Sequence, residues 1–248
     1  MSRFVLLPAF PLDTRMWEPV AGRLESAGHE VLPVDIGGLG HSAIPPGEGD
    51  VDLMALQVIA AMHDASWECA NIVGISMGGY VAMAMLRIAP ERVQGLGLVS
   101  TRAGADAPVK RAQRRAQAEQ MSAQAVAEMS ISMQATLLSM TSLRSDPRGA
   151  LTIGRWISEQ QPLALSWCLR AMASRPDSLI TLRSAGPRPV VIVAGEQDNV
   201  TTLADAVHMQ AASRDAGGVP RLVVVPNAGH ISAYDAPKAV TSALLELT

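Results

Sequence analysis

One pentad, Gly74-Ile75-Ser76-Met77-Gly78, constrains the fold of this chain more than any other part of its sequence. It lies between an apolar run over residues 71–75 and a helix-like run over residues 80–88. A serine placed in this way predicts a sharp strand-to-helix turn that exposes its hydroxyl group. The flanking glycines have a steric reason, because without Cβ atoms the strand and helix can approach closely around a serine in a sparsely populated conformation. The pentad therefore predicts an α/β fold with Ser76 as a nucleophile.

The spacing of apolar runs predicts strands and helices that alternate along most of the chain. Short runs rich in Val, Ile and Leu, without strict polar alternation, indicate parallel strands that are covered on both faces. They occupy residues 4–7, 30–34, 71–75, 93–99, 190–194 and 222–225. Helical patterns separate them at residues 17–27, 51–66, 80–88, 203–212 and 236–247. This repetition predicts a doubly wound, mostly parallel sheet with right-handed crossovers.

The alternation is interrupted once, by a long segment without a convincing strand. Residues 102–182 read as several helices rich in Ala, Met, Gln and Arg, broken at Asp146-Pro147, Gln161-Pro162 and Arg175-Pro176. The segment follows the fourth predicted strand, and loops at the carboxyl ends of parallel strands are where such sheets bind ligands. We therefore expect a core of residues 1–101 and 183–248, and a helical lid of residues 102–182 over the site.

Composition narrows the class of partner. Twenty basic and twenty-three acidic residues give a formal net charge of −3, which offers no electrostatic footprint for nucleic acid or an anionic membrane. No apolar run is long enough to span a bilayer, and the short run closed by Pro8 fits a first strand better than a signal sequence. Cys69 and Cys168 fall into no metal or redox spacing. We expect a cytoplasmic protein with a small-molecule partner and no metal or organic cofactor, and the sequence leaves the oligomeric state open.

Two further residues are placed where they can complete the chemistry of Ser76. A serine hydroxyl needs an imidazole to take its proton, and a carboxylate to fix the tautomer of that imidazole. Asp198 follows the fifth predicted strand and His230 follows the sixth. Because the carboxyl ends of parallel strands share one edge of the sheet, we expect these three residues to meet there as nucleophile, orienting acid and general base. We assign the competing carboxylates, Asp35 and Asp235, to a glycine-rich loop and to the cap of the last helix.

Five segments together resemble the α/β hydrolase fold family in its lid-bearing, single-domain form. They are residues 11–17, 34–42, 75–79, 195–198 and 228–230, and the order Ser, Asp, His along the chain is that of the family. The forms that the chain resembles include esterases, 3-oxoadipate enol-lactonases, cofactor-free haloperoxidase-like perhydrolases and carbon–carbon bond hydrolases. The resemblance implies the α/β hydrolase fold, which is expected to lack the leading antiparallel strands because the first predicted strand begins at Phe4.

An oxyanion hole is the other requirement, because negative charge on a substrate carbonyl in the transition state needs preorganised N–H donors. The backbone N–H of Met77 is the first candidate, since a helix N-terminus favours an anion. By register with the family, Phe10 in the loop after the first strand supplies the second donor. Here Pro8 and Ala9 stand where family members usually carry His-Gly.

The lid offers candidates for substrate contacts. Four apolar side chains could line a pocket, although their spacing is more often that of lid helices packed on a core; they are Met133, Met140, Trp156 and Trp167. Residues 11–17 resemble enol-lactone hydrolases, whose substrates carry a free carboxylate. On that ground we expect a lid arginine, Arg111, Arg114 or Arg155, to pair with the carboxylate.

Two classes of function fit these residues. The first is a hydrolase that cleaves a small or medium carboxylic ester or lactone through an acyl-enzyme on Ser76. The alternative is a ligand-sensing or signalling protein that retains the triad with slow turnover. A perhydrolase or a carbon–carbon bond hydrolase would use the same residues and differ in the second reactant or in the bond that is broken.

Overall fold

Six parallel strands form a single sheet in the computed structural model, which describes residues 1–248. The strands are β1 (Arg3–Leu7), β2 (Glu30–Pro33), β3 (Ala70–Ile75), β4 (Val93–Val99), β5 (Val190–Gly195) and β6 (Arg221–Val225). Their order across the sheet is β2-β1-β3-β4-β5-β6, and each neighbouring pair is parallel. The predicted doubly wound, mostly parallel sheet is confirmed, and every predicted strand overlaps an observed one.

Twelve α-helices surround the sheet or cover its carboxyl edge. They are α1 (Glu18–Ser26), α2 (Val51–Asp64), α3 (Met77–Ile88), α4 (Pro108–Glu119), α5 (Ala123–Leu137), α6 (Met140–Ser145), α7 (Pro147–Ser158), α8 (Pro162–Ser174), α9 (Leu179–Arg183), α10 (Leu203–Asp215), α11 (Ser232–Asp235) and α12 (Pro237–Leu244). The last predicted helix is shorter than expected, because α12 gives way to a 3-10 turn at Leu245–Leu247. None of the helices combines the length and the hydropathy that crossing a membrane would require.

The order of the strands reverses direction between β1 and β3. The chain steps from β1 to β2 towards one edge of the sheet, and β3 to β6 then follow one another towards the other edge. Right-handed crossovers place the helices of opposite steps on opposite faces; accordingly, α1 packs against α12, whereas α2 packs against α3. Such a reversal opens a crevice at the carboxyl ends of the two strands, which is where doubly wound sheets bind ligands.

The central strands are buried because they carry apolar side chains on both faces. Every residue of β3 is buried, and in β4 only Gln94 is exposed. The edge strands β2 and β6 are partly exposed. Burying one large aliphatic side chain contributes about 1.5–3 kcal/mol. The core is therefore strongest around β1, β3 and β4, and the loops at their carboxyl ends start from a rigid base.

Six helices lie between β4 and β5, where one crossover helix would suffice to join neighbouring parallel strands. Helix α4 packs against α8, and α5 packs against α7. The cap helices, α4 to α8, are joined to a core loop through α8, since Trp167 Nε1 donates to the Gly47 carbonyl oxygen (3.1 Å) and Ser174 Oγ to that of Gly49 (3.0 Å). Helix α9 packs instead against α10 and α3. The last residues of the predicted lid segment thus lie beside the core helices.

The glycines of the pentad permit the closest backbone contacts in the turn after β3. A Cβ atom on Gly74 would lie 2.1 Å from the carbonyl oxygen of Gly78, and one on Gly78 would lie 2.3 Å from that of Leu7. A rotamer change cannot relieve a clash with backbone atoms. The two glycines are thus a steric requirement of the turn.

We expect Gly74→Ala to lower the free energy of unfolding by about 3 kcal/mol, because the added methyl group overpacks the turn against rigid backbone. Gly22→Ala in α1 is the matched control, since nothing lies within 4 Å of its Cβ position. The control should be neutral or stabilising by about 0.5–1 kcal/mol. Urea denaturation of both variants measures the difference, and equal midpoints would contradict this account of the turn.

Candidate active site

Ser76 lies in the sharp turn between β3 and α3. Its backbone dihedrals are φ 53° and ψ −112°, a conformation that residues other than glycine rarely adopt. Two hydrogen bonds to the end of β4 hold it there. The Ser76 N–H donates to the Val99 carbonyl oxygen (3.0 Å), and Thr101 Oγ1 donates to the Ser76 carbonyl oxygen (2.7 Å). The neighbouring strand therefore fixes the position of the serine hydroxyl.

The loop after β1 is joined to the same turn. Leu7 at the end of β1 is in register with Gly74, and the Gly78 N–H donates to the Pro8 carbonyl oxygen (3.1 Å). The backbone N–H of Phe10 makes no hydrogen bond within the protein. Met77 is the first residue of α3, where backbone N–H groups have no acceptor inside the helix. Two unpaired donors thus flank Ser76, as the oxyanion prediction requires.

His230 and Asp198 meet Ser76 at the carboxyl edge of the sheet. His230 Nε2 lies 2.7 Å from Ser76 Oγ, while Nδ1 lies 3.0 and 3.1 Å from the two carboxylate oxygens of Asp198. Both side chains are only 2% exposed. Because the carboxylate accepts the proton of Nδ1, the neutral ring leaves Nε2 free to accept the serine proton. Folding thus brings together three residues that the sequence places 32 to 154 positions apart.

Asp198 keeps its charge although it is buried. Burial alone would raise the pKa of this carboxyl group, but its hydrogen bonds and its electrostatic interaction with His230 outweigh that effect, and the pKa lies below its ordinary value. The backbone N–H groups of Val200 (2.7 Å) and Thr201 (3.0 Å) also donate to it, as does Thr201 Oγ1 (2.5 Å). A carboxylate held in this way is ionised at neutral pH, so it can stabilise an imidazolium ion on His230.

Sequence reasoning missed the two threonines that support this arrangement. Thr101 braces the backbone of Ser76, and Thr201 braces the carboxylate of Asp198. For Thr201 a signal was available, because an aspartate often binds the backbone two or three residues further on. For Thr101 there was none, since its partner is 25 residues away in sequence.

Asp35 and Asp235, the carboxylates that competed with Asp198 in the sequence, have structural roles. Asp35 accepts hydrogen bonds from the N–H groups of Thr14 (2.8 Å) and His41 (2.9 Å). It therefore ties down the glycine-rich loop after β2, as predicted from the sequence.

The predicted role of Asp235 as a cap of the last helix is wrong. Helix α12 has no side-chain cap, and Asp235 Oδ2 accepts instead from the N–H groups of Gly229 (2.7 Å) and Ser139 (3.1 Å). The Ile231 N–H donates to the Leu137 carbonyl oxygen (3.0 Å). Burial raises the pKa of Asp235 above its ordinary value. Asp235 thus connects two segments: the loop that contains His230, and the part of the cap between α5 and α6.

Ser76 and His230 open into a cavity of about 330 Å³ between the sheet edge and the cap. Its volume suits a small or medium-sized ligand. Helices α4, α5 and α8 and the loops after β1, β4 and β5 supply its walls, and the apolar side chains lining it are Phe10, Tyr80, Met133, Leu137, Leu169, Met172 and Val200. No group of three or more His, Cys, Asp or Glu side chains is arranged to hold a metal ion.

Of the side chains predicted to contact substrate, Met133 and Arg114 line this cavity. The other five lie outside it, contrary to the expectation from the sequence: Met140, Trp156, Trp167, Arg111 and Arg155. Periodicity identified helices with an apolar face, but it could not show against which neighbour that face packs. The difference matters because the cap helices contact one another as well as the cavity.

Packing explains the two tryptophans. The ring of Trp156 stacks edge-on against Tyr234, with 5.9 Å between ring centroids, and the guanidinium group of Arg15 lies 5.3 Å from its centroid. Trp167 binds a core loop through its indole nitrogen. Both side chains therefore fasten the cap to the core.

Met140, Arg155 and Arg111 are exposed to solvent or form local contacts. Met140 is 51% exposed on α6. Arg155 is exposed and lies 3.8 Å from Glu159, one turn further along the chain. Arg111 Nε donates to the Asp106 carbonyl oxygen (2.9 Å) at the start of α4. None of the three lines the cavity.

A buried ion cluster lies behind the cavity wall. Asp106 accepts from Arg114 Nε (2.7 Å) and from Arg175 Nη2 (2.9 Å), and its side chain is almost completely buried. The Arg175 guanidinium group lies 4.0 Å from the ring centroid of Tyr80. Burial alone would raise the pKa of Asp106, but the two arginines lower it to about 2. The cluster fixes α4 and the end of α8 around one carboxylate.

The contribution of Asp106 to stability should be lost in acid. Its folded-state pKa is below its ordinary value, so its contribution is complete above about pH 5 and declines by about 1 kcal/mol as the pH falls to about 3. Asp106→Asn leaves buried charge unpaired and should cost about 3 kcal/mol at neutral pH, with a gap to wild type that narrows in acid. Asp215→Asn removes an exposed ion pair with Arg183 and is the control. Urea denaturation across this pH range measures both, and a gap independent of pH would contradict the assignment.

Comparison with known proteins places the chain in a family. The family model described as "alpha/beta hydrolase fold" matches residues 3–237. BpoC of Mycobacterium tuberculosis, named as a candidate non-heme bromoperoxidase, is 27% identical over 240 residues, which cover 94% of this chain and 88% of BpoC.

Solved structures agree with this fold. A thermophilic esterase from Thermogutta terrifontis, solved with malate bound, has 28% sequence identity and a TM-score of 0.92, and the match covers 99% of this chain and 89% of the esterase. The enol-lactonase from Burkholderia xenovorans LB400 has 22% identity and a TM-score of 0.87, with 99% and 90% of the two chains covered; at this identity the likeness concerns the fold alone. Since the family model spans nearly the whole chain and the sheet has the corresponding topology, this chain belongs to the α/β hydrolase fold family.

Proposed function

We propose that this chain is a serine hydrolase that cleaves a small or medium carboxylic ester or lactone through an acyl-enzyme on Ser76. The observation that carries the proposal is the 2.7 Å contact between Ser76 Oγ and His230 Nε2, with Asp198 on the opposite ring nitrogen. An arrangement of this kind without a function would be costly, because it keeps a serine in a strained conformation and a carboxylate buried. The likeness to an esterase at 28% identity supports the reaction class.

In the first half-reaction Ser76 Oγ attacks the carbonyl carbon, and His230 Nε2 takes the hydroxyl proton. The imidazolium ion that forms is stabilised by the negative charge of Asp198. Negative charge develops on the carbonyl oxygen, and the backbone N–H groups of Phe10 and Met77 receive it. The tetrahedral intermediate then collapses, and His230 gives its proton to the leaving alcohol oxygen. In a lactone this oxygen remains attached to the acyl group.

In the second half-reaction water replaces the alcohol. His230 takes a proton from the water molecule, whose oxygen attacks the acyl carbon, and the ester bond to Ser76 breaks. The proton returns to Ser76 Oγ, and a carboxylic acid leaves. The fixed tautomer of His230 serves both steps, because Nε2 accepts and returns a proton while Nδ1 keeps its hydrogen bond to Asp198.

A second candidate is perhydrolysis, favoured by the 27% identity to BpoC over nearly the whole chain. Hydrogen peroxide would then take the place of water and attack the acyl-enzyme, and a peracid would leave in place of the carboxylic acid. The residues and the proton transfers are the same. The two reactions differ only in the acceptor, so peracid yield in the presence of acetate ester and hydrogen peroxide separates them.

Ser76→Ala should lower kcat on the order of 10⁶-fold and leave KM nearly unchanged, because the nucleophile is lost while the cavity remains. A panel of chromogenic esters, lactones and thioesters measures the change, and mass spectrometry after treatment with a fluorophosphonate locates the labelled serine. Ser26→Ala, on the exposed side of α1, is the control and should retain full activity.

Three outcomes contradict the proposal. They are labelling at a serine other than Ser76, turnover that survives in Ser76→Ala, and failure of the wild type to cleave any ester. Slow turnover on every substrate, together with strong stabilisation of Ser76→Ala by a bound ligand, would favour the ligand-sensing alternative.

A further inference from the structure

The cavity beside Ser76 has an unusual balance of charge. Three of its lining side chains are cationic, namely Arg102, Lys110 and Arg114, and none of its fifteen lining residues is Asp or Glu. The chain as a whole carries a formal net charge of −3. The positive wall is therefore a local feature and does not follow from the overall composition.

Only one of the three cations is neutralised within the protein. Arg114 donates through Nε to Asp106, and its Nη1 lies 3.3 Å from Met172 Sδ. Asp106 is also bound to Arg175, so this carboxylate already serves two guanidinium groups. Arg102 and Lys110 take part in no ion pair. The wall therefore presents two cations whose charge is not balanced by a carboxylate.

Arg102 is held close to the reacting groups. It directly follows Thr101, which binds the backbone of Ser76, and its Nη2 donates to the carbonyl oxygen of Val200 (2.6 Å). Nε of the half-buried Arg102 has no hydrogen-bond partner and is shielded from solvent. A buried donor on a cation is costly when it is left unpaired. An anionic ligand in the cavity would supply the missing negative charge beside this guanidinium group.

Lys110 presents the second charge from α4. Lys110, Arg114 and Gln117 are spaced so that they follow one another along one face of the helix, and all three line the cavity. Like charges one turn apart destabilise a helix by a few tenths of a kcal/mol. Arg115 on the same helix is exposed and lies outside the cavity. Lys110 is itself exposed, so the helix carries one solvent-accessible cation that lines the cavity and another, Arg115, that does not.

We propose that the substrate is an ester or lactone that also carries a carboxylate, and that Arg102 and Lys110 bind this carboxylate. The proposal rests on the proposed function, since it concerns the substrate of the reaction at Ser76. A carboxylate on an ester or lactone is an anion that a guanidinium and an ammonium ion can bind together. The cations that recognise the substrate then differ from the arginines expected from the sequence, of which Arg111 and Arg155 point elsewhere and Arg114 is bound to Asp106.

Matched pairs of alkyl esters test the proposal. Monomethyl glutarate and methyl pentanoate differ by a carboxylate on the acyl side, and 4-acetoxybutanoate and butyl acetate differ by one on the alcohol side. The measured quantity is kcat/KM for the anionic ester divided by kcat/KM for its neutral partner, obtained by titrating released acid or by quantifying released alcohol. In the wild type this ratio should exceed ten for at least one pair, and it should fall as salt is added.

Lys110→Gln and Arg102→Gln should each lower that ratio about tenfold, since each removes one charged contact. Arg102→Lys keeps the charge and should retain most of the ratio, which separates loss of charge from disturbance of the loop near Val200. Arg115→Gln removes the same charge from the solvent side of α4 and is the matched control, with a ratio equal to that of wild type.

Two results would overturn the proposal in distinguishable ways. If Ser76 is labelled and the neutral esters are cleaved, but the ratio is near one in both pairs or is unchanged in the variants, the carboxylate is not recognised and the hydrolase assignment stands. If no ester is cleaved and Ser76 is not labelled, the hydrolase assignment fails and this proposal fails with it.

Discussion

The strained turn at Ser76 is the constraint on which the rest of the site depends. A backbone in this region costs about 1–3 kcal/mol, and the turn persists because its surroundings determine it several times over. Its N–H and carbonyl groups are bound to the end of β4 through Val99 and Thr101, and Gly78 in the first turn of α3 is bound to the loop after β1 through Pro8. The glycines at either end admit these contacts without a Cβ clash. The direction of the hydroxyl group, the start of α3 and the free N–H of Met77 all follow from the one turn.

The second constraint is electrostatic, because the pair of Asp198 and His230 is almost completely buried. Burying a carboxylate costs several kcal/mol unless hydrogen bonds replace the lost water. The turn at Val200 and Thr201 supplies those bonds, so the charge remains where an imidazolium ion would need it. The loop that carries His230 depends further on the cap, since Asp235 binds both Gly229 and Ser139. The cap therefore does more than cover the cavity, and helps to fix the base on which the proposed chemistry depends.

Much of the core could be predicted from the sequence, because each central strand is apolar on both faces and each ends where a loop of distinctive composition begins. Parallel pairing then brings Ser76, Asp198 and His230 to one edge without any knowledge of their separation in sequence. The cap was harder to predict. Trp156 and Trp167 are large apolar side chains of the kind that often line a pocket, yet each contacts a partner from a distant segment. Arg102 was overlooked because it stands in no motif, and Thr101 because its partner is a backbone group that only the fold brings near. The spacing of apolar residues along one helix predicts which face is buried, but long-range packing determines which element that face contacts.

The division between core and cap separates the groups of the proposed hydrolysis at Ser76 from those proposed to surround the rest of the substrate. Ser76, His230, Asp198 and Phe10 all come from strand ends or core loops, whereas Lys110 and Met133 come from cap helices.

Arg102 lies between the core and the cap, directly after the β4 segment that fixes the serine and before the first cap helix. Since α4 reaches Ser76 only across the cavity, its charges can change without disturbing the hydrogen bonds of the turn. Arg102 has no such freedom, because it also binds the carbonyl group of Val200, whose N–H donates to Asp198. The proposed selectivity for an anionic substrate would thus be coupled to the geometry of the proposed catalytic residues at Arg102 and independent of it at Lys110.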